Sequence, residues 1–310
     1  MTMPLSGIAF RAAAGCLVVL GLAGCGSSTP PPSAAATSGA AGSPGASVSG
    51  SCPLPPRNVE KQTSTALTIA VSSRLTDGFG FNYALSDETL AKYPALLSTG
   101  KAPDWSVSKA WQDGLFLLGG AHVPIAARNQ GRDPITISSV RLVNIVEECM
   151  PLGLAYKLGN EGGGSSDEDI NLRFNIDADS PIAYEHDRGA DPAQIPPNVP
   201  YFSGKTVTIA PGESKVINVM VGSLRRPHSF TIAIDTTVGG QQGVQLISNA
   251  GVPFRFAPSL CPSATQRTQM KPEDIAWMKN QQFKNVRVRV GIATMGESDP
   301  AKYSGPCNAI

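Results

Sequence analysis

The sequence predicts a mainly β chain: an antiparallel β-sandwich with insertions and one short C-terminal helix. Three observations predict it. Apolar and polar residues alternate with a period of two in segment after segment between Leu115 and Phe256, as in half-buried strands. Turn signals built on Gly, Pro and Asn separate those segments at the short spacing of a sandwich or barrel. The clearest helix start comes late, at Pro272-Glu273-Asp274, and leaves room for only a few turns.

The chain opens with one basic residue, Arg11, and then a 13-residue run from Ala12 to Gly24 with no charge. A hydrocarbon core about 30 Å thick needs a longer helix, so the run reads as the apolar part of a signal peptide. It ends in Leu22-Ala23-Gly24-Cys25, which resembles the lipobox of bacterial lipoproteins letter for letter. The resemblance implies that residues 1–24 are removed and that the Cys25 thiol carries a diacylglycerol. Two acyl chains meet the requirement for stable attachment without a transmembrane helix. Gly26 to Ser51 is then made of Gly, Ser, Thr, Pro and Ala except for Val48. Such a stretch buries too little apolar surface to offset its ordering entropy, and residues 25–57 read as a lipidated, disordered linker. Its 26 low-complexity residues reach roughly 28 Å on average.

Residues 58–114 read as an N-terminal β and loop extension. Thr65 to Ser72 suits a strand; Ser86 before Asp87 and Glu88 suits a helix start, and Pro94 limits its length. Residues 115–260 form the predicted sandwich. Val123, Ile125 and Ala127 share one face of a strand whose Pro124 points to a sheet edge or a bulge. Ile135 and Ile137 are out of phase with Val140 and Leu142, which predicts a bulge near Ser138-Ser139. Gly159 to Asp191 reads as an insertion with one strand at Ile170 to Ile176. Ala210-Pro211-Gly212-Glu213 has Pro and Gly at the central places of a type II turn. Strands follow around Ile217, Phe230, Val244 and Phe254. Residues 261–310 supply the helix, ending near Gln282, and a last strand of alternating Val and Arg, Val286 to Ile292. That strand is expected to close a sheet edge with its arginines outward.

Asn129-Gln130-Gly131, Pro134 to Ile137 and Ala210 to Glu213 together resemble bacterial immunoglobulin-like domains over about residues 115 to 257. The Cys…Trp…Cys signature of antibody domains is missing, so the resemblance implies architecture only.

Four cysteines remain beyond Cys25: Cys52, Cys149, Cys261 and Cys307. Outside the cytoplasm four cysteines imply two disulfides, in three connectivities that sequence does not separate. The expected pairing joins Cys149 to Cys261 and Cys52 to Cys307. A zinc site would show close cysteine pairs, and no C-x-x-C occurs.

Beyond Arg11, 24 Lys and Arg face 24 Asp and Glu, so no basic excess favours nucleic acid. Ser98 to Lys101 and Ser106 to Lys109 match S-x-x-K but lack the companion motifs of that acyl-transfer chemistry. Gly204-Lys205-Thr206 lacks the first glycine of a phosphate loop and precedes a strand, so no nucleotide is expected. His122, His186 and His228 show no metal-ligand spacing and read as exposed loop or strand histidines; neither metal nor cofactor is expected. Asp167, Glu168, Asp169, Asp177 and Asp179 gather oxygen ligands of the kind calcium takes, without the spacing of an EF-hand loop. Trp105 and Trp111, six residues apart, are candidate ligand-facing aromatics.

No catalytic residue is assigned. The expectation is a surface-exposed lipoprotein on the extracytoplasmic face of a bacterial cell membrane, held there by Cys25. It would act as a non-catalytic binding or interaction module for an envelope protein or glycan. The alternative is an envelope hydrolase or modifying enzyme whose site is assembled from scattered residues.

Overall fold

The computed structural model describes residues 52–72, 75, 82–98, 100–101, 108–158, 170–186, 199–290 and 294–303. Cys25, the low-complexity linker, Trp105, the acidic run from Asp167 to Asp169 and Cys307 lie outside the described residues.

In chain order the strands begin β1 (Thr68–Val71), β2 (Asn82–Leu85), β3 (Gly100–Lys101), β4 (Phe116–Leu118), β5 (Ala121–Arg128) and β6 (Ile135–Glu147). Next come β7 (Leu154–Lys157), β8 (Ile170–Asn175), β9 (Tyr184–Glu185), β10 (Val207–Ile209) and β11 (Ser214–Gly222). The last are β12 (His228–Val238), β13 (Gln241–Ile247), β14 (Phe254–Ala257), β15 (Asn285–Arg289) and β16 (Thr294–Glu297). Among the described residues four short α-helices accompany them: α1 (Asp87–Ala91), α2 (Ser108–Gln112), α3 (Ala264–Gln269) and α4 (Pro272–Lys279).

The strands form a β-sandwich. A smaller sheet runs β1-β5-β11-β8-β9, and a larger one runs β10-β6-β12-β14-β4-β2-β7-β15-β16-β3, with β13 on β12. The inner faces interlock because the two-residue period sends alternate side chains inward. Val123, Ile125, Leu172, Phe174, Ile217 and Val219 from the smaller sheet share one buried cluster with Ile137, Phe230, Ile232, Ile234, Phe254 and Phe256 from the larger. A second cluster lies on the opposite face of the larger sheet, where Met270 and Met278 join Ala84, Phe116, Ala155 and Val286. The strands β2, β4 and β7 therefore carry apolar residues toward both faces, while β15 turns Val286 and Val288 toward the second cluster. Among the described residues, no helix is long and apolar enough to cross a membrane.

Several expectations need correction. The sheets are mixed: β8 runs parallel to β11, β4 to β14 and β7 to β15. Each of these pairs joins strands far apart in sequence, and a long connection can bring its strand back in either direction. Pro124 does not mark an edge, since β5 lies between β1 and β11. The ladder to β1 ends at the Val71–Ile125 pair, and the Pro124 carbonyl accepts the Ser72 N–H at 3.0 Å. The missing N–H faces that same side, just where pairing stops. The alternating Val and Arg strand, β15, is likewise internal, between β7 and β16, and Arg287 is 5% exposed. Arg287 donates to the Leu97 carbonyl and pairs with Glu297 at 2.9 Å, while Arg289 is exposed as expected. The C-terminal region holds two helices; α3 begins with a Ser263–Gln266 capping box, and α4 starts at Pro272 as predicted.

The expected disulfide pairing is also overturned. Cys52 is bonded to Cys149, with Cα atoms 5.2 Å apart. Cys261 is disulfide-bonded as well. The Cys52–Cys149 bond forms because the segment from Cys52 runs along β6: Leu54 N–H donates to the Glu147 carbonyl, and Arg57 exchanges backbone hydrogen bonds with Ile145. Residues 52–57 thus belong to the fold, where a linker was expected.

Candidate functional site

Where the β6 end, the turn after β8 and the β11–β12 loop meet, a polar cavity of about 330 Å³ opens. Its walls come from five places in the chain, and each wall is fixed by local hydrogen bonding.

Arg57 is delivered by the strap that the disulfide begins. Its Nη1 donates to the carbonyls of Ala178 (2.6 Å) and Asp179 (3.0 Å), and its Nη2 donates to that of Ile176. One guanidinium therefore satisfies three carbonyls of the turn that leaves β8. Asp177 lies inside that turn and points its carboxylate inward. Ser223 Oγ donates to one oxygen at 2.7 Å and Leu224 N–H to the other at 2.8 Å. Burial still raises the Asp177 carboxyl above its ordinary range, with those two hydrogen bonds and Arg225 opposing.

The loop from Ser223 to Pro227 is turned by Ser223, whose hydroxyl accepts the N–H groups of Arg225 (3.1 Å) and Arg226 (3.3 Å). The two arginines straddle Asp274 in the first turn of α4. That carboxylate is 2% exposed; Arg225 Nε lies 3.0 Å from it and Arg226 Nη1 3.6 Å. A buried carboxylate needs such partners, and two cations with fixed donors supply them. Arg226 also lies 3.6 Å from Glu147 and stacks its guanidinium 4.1 Å above the Trp277 ring.

His228 opens β12 and is 3% exposed. Its ring stacks on Phe256 with centroids 6.1 Å apart. Burial, then the charge of Arg57, pushes its pKa down to about 3, although a hydrogen bond to the Arg226 backbone works the other way. The imidazole is neutral at physiological pH. Its Nδ1 is buried and has no hydrogen-bond partner.

The structure brings together residues that the sequence left apart, and separates others. Asp177 and Asp179 line the cavity, but no group of three or more His, Cys, Asp or Glu among the described residues is placed to hold a metal ion. His228 is buried in a strand, which corrects its reading as an exposed histidine. His122 lies on β5 with Nε2 3.4 Å from Asn218 Oδ1, and His186 follows β9. Trp111 is 3% exposed and packs edge-on against Tyr83, so it is a core residue and presents no face to a ligand. Lys205 sits 3.5 Å over the Tyr201 ring and 3.6 Å from Glu185, in a loop before β10.

Sequence reasoning missed Arg57, Glu147, Arg225 and Arg226. The Arg225-Arg226-Pro227-His228 run is the one local signal available: two cations and a histidine just ahead of a strand.

Chemically, the cavity offers mixed charge. Arg57 and Asp177 are already engaged by the protein, whereas the Arg225 terminal nitrogens, the Asp179 carboxylate and His228 Nδ1 have no partner among the described residues. Such a wall can hold a small polar molecule in one orientation. No family model, curated protein or solved structure matches the chain.

Proposed function

We propose that this protein is a bacterial envelope lipoprotein whose β-sandwich is a non-catalytic binding module, with the polar cavity as its ligand site. Cys25 carries the lipid on the extracytoplasmic face of the membrane, and the low-complexity segment is the tether. The observation that carries the binding reading is the cavity wall, which is held rigid by its own ion pairs and hydrogen bonds yet keeps free donor and acceptor atoms. The Cys52–Cys149 bond supports an oxidising compartment. The occupant is a small molecule or a part of an envelope partner that fits the volume.

Two measurements test this. In bacteria fed an alkyne-tagged palmitate, the chain takes up label and sediments with membranes, and Cys25→Ser abolishes both. A labelled Cys25→Ser variant, or an unlabelled wild-type chain, defeats the anchor. For the module, thermal shift of the full-length protein against envelope peptides, amino acids and sugars should yield at least one stabilising compound whose effect Asp179→Asn removes.

One observation favours a second reading, an envelope hydrolase. Asp177 and His228 line the same cavity with their protonation equilibria shifted, the kind of environment that general acid–base chemistry uses. Turnover of an ester or peptide substrate that disappears in His228→Phe would establish it in place of the module.

A further inference from the structure

The free groups of the cavity have opposite character. Arg225 uses only Nε on Asp274, at 3.0 Å, so its two terminal nitrogens remain as donors. The Asp179 backbone carbonyl is taken by Arg57 and by Asn58, but its carboxylate has no partner among the described residues. His228 is neutral, and its Nδ1 is buried in the wall with no hydrogen-bond partner, so in the Nε2–H tautomer that atom is an acceptor.

Charge balance narrows the occupant. Arg57, Arg225 and Arg226 face Glu147, Asp177 and Asp179, with Asp274 behind the last two arginines. A simple anion would be repelled by four carboxylates and a simple cation by three guanidinium groups. A molecule with one positive and one negative end meets both signs at once. Sugars commonly use an open aromatic face, and no Phe, Tyr or Trp among the described residues lines the cavity; Phe256 stacks on His228, and the Trp277 ring lies under Arg226. At about 330 Å³ the space lies at the small end of ligand sites.

From this juxtaposition we propose that the cavity binds a small amino-carboxylate zwitterion, of amino-acid to dipeptide size. Its carboxylate lies on the Arg225 terminal nitrogens, and its ammonium donates to Asp179 and His228 Nδ1. The proposal rests on the cavity being the ligand site and is independent of the lipid anchor.

The test is calorimetric titration of the full-length, detergent-purified protein with individual L-amino acids, glycylglycine and L-alanyl-L-alanine. The same compounds are then used N-acetylated or C-amidated, with glucose, N-acetylglucosamine and sodium phosphate as controls. The expected result is binding by at least one free zwitterion, weakened at least about tenfold when either end is blocked. Asp179→Asn, an exposed and nearly isosteric change, should weaken the free zwitterion and leave the blocked-amine form unaffected. His228→Phe, which keeps the stacking on Phe256, should also weaken it. Equal affinity for blocked and free compounds overturns the proposal. Binding of a control sugar or phosphate alone, abolished by Asp179→Asn, overturns it while leaving the cavity as a ligand site. No heat and no thermal stabilisation with any compound at 10-mM concentration, on the order of the weakest useful affinity, overturns both.

Discussion

Asn129 is fully buried between two turns, and its side chain is used at both ends. Its Nδ2 donates to the carbonyls of Asp133 and Ile209, each at 2.9 Å, and its Oδ1 accepts the Gly131 N–H at 2.8 Å. Its backbone bonds Glu213 and Gly212, so one residue ties the β5–β6 turn to the β10–β11 turn. Asn129→Ala would remove three hydrogen bonds and leave the buried Ile209 carbonyl unpaired, while the exposed Gly131 and Asp133 groups turn to water, which predicts a loss of about 2 kcal/mol in urea unfolding. A loss under 1 kcal/mol would mean that water replaces the amide. His228 sets a pH dependence. Its folded pKa, near 3, lies below the ordinary 6.5, so folding favours the neutral ring. That contribution is complete above pH 6.5 and is lost as pH falls toward 3, by up to about 1.4 kcal/mol per pH unit. The raised carboxyl of Asp177 acts in the opposite sense, so the comparison must be between proteins. His228→Phe should show a shallower loss of stability from pH 6.5 to 4 than the wild type; equal slopes would contradict the buried neutral ring. The two residues also differ in legibility. Asn129-Gln130-Gly131 is a local turn pattern visible in sequence. The surroundings of His228 come from positions 57, 147, 177 and 225–226, and no local spacing encodes them.

Strand position in a sheet follows less directly from composition than strand existence does. The alternations at β5, β11, β12 and β15 are all strands, because a two-residue period needs only a local face to bury. The phase change in β6 is a bulge as expected: Asp235 pairs with Ser139 and Thr236 with Ile137, so Ser138 is the extra residue. A second register shift lies near Asn144, whose φ is +49° and whose Oδ1 accepts the Glu60 N–H at 2.9 Å. Asn tolerates that conformation, and the bulge serves the N-terminal strap, a partner that sequence does not reveal. Neither Pro124 nor β15 lies at an edge, and the reason is the same for both: neighbours arrive from distant segments. Close approaches between elements are equally hidden. A Cβ on Gly153 would lie 2.7 Å from the backbone at Ser86 and Asp87, the N-cap of α1, where Ser86 Oγ accepts the Thr89 N–H at 3.1 Å. Backbone has no rotamer to yield, so Gly153→Ala should cost about 2 kcal/mol and shift β7 from the cap. Gly212 has open space around it but a φ of +79° in the type II turn, and Gly212→Ala should cost about 1 kcal/mol. Thermal melts of the two variants should rank in that order.

For the molecule as a whole, the decisive connection is the strap from Cys52 to Ser64. It pairs with β6 through Arg57 and Asn58, then with β13 through the Thr63 and Ser64 N–H groups, both of which donate to the Val244 carbonyl. Its first residue is the disulfide partner of Cys149, and its sixth, Arg57, holds the turn that carries Asp177 and Asp179. The bond closes a loop of 97 residues, and chain-entropy arguments assign about 4 to 5 kcal/mol to a loop of that length. The expected loss on reduction is smaller, about 2 to 4 kcal/mol, because the strap retains its hydrogen bonds to β6 and the engineered values run below the entropic limit. The loss should also be felt at the cavity. With Cys52 released, the Arg57 guanidinium is held only by backbone pairing at Ile145 and by its own three acceptors, and the β8 turn gains freedom. Cys52→Ser with Cys149→Ser should therefore lower the denaturation midpoint and weaken ligand binding together, whereas Asp179→Asn should weaken binding with the midpoint unchanged. If the double variant kept its midpoint, the strap would be held by hydrogen bonding alone. If it lost stability but bound as before, the disulfide would have no part in positioning Arg57.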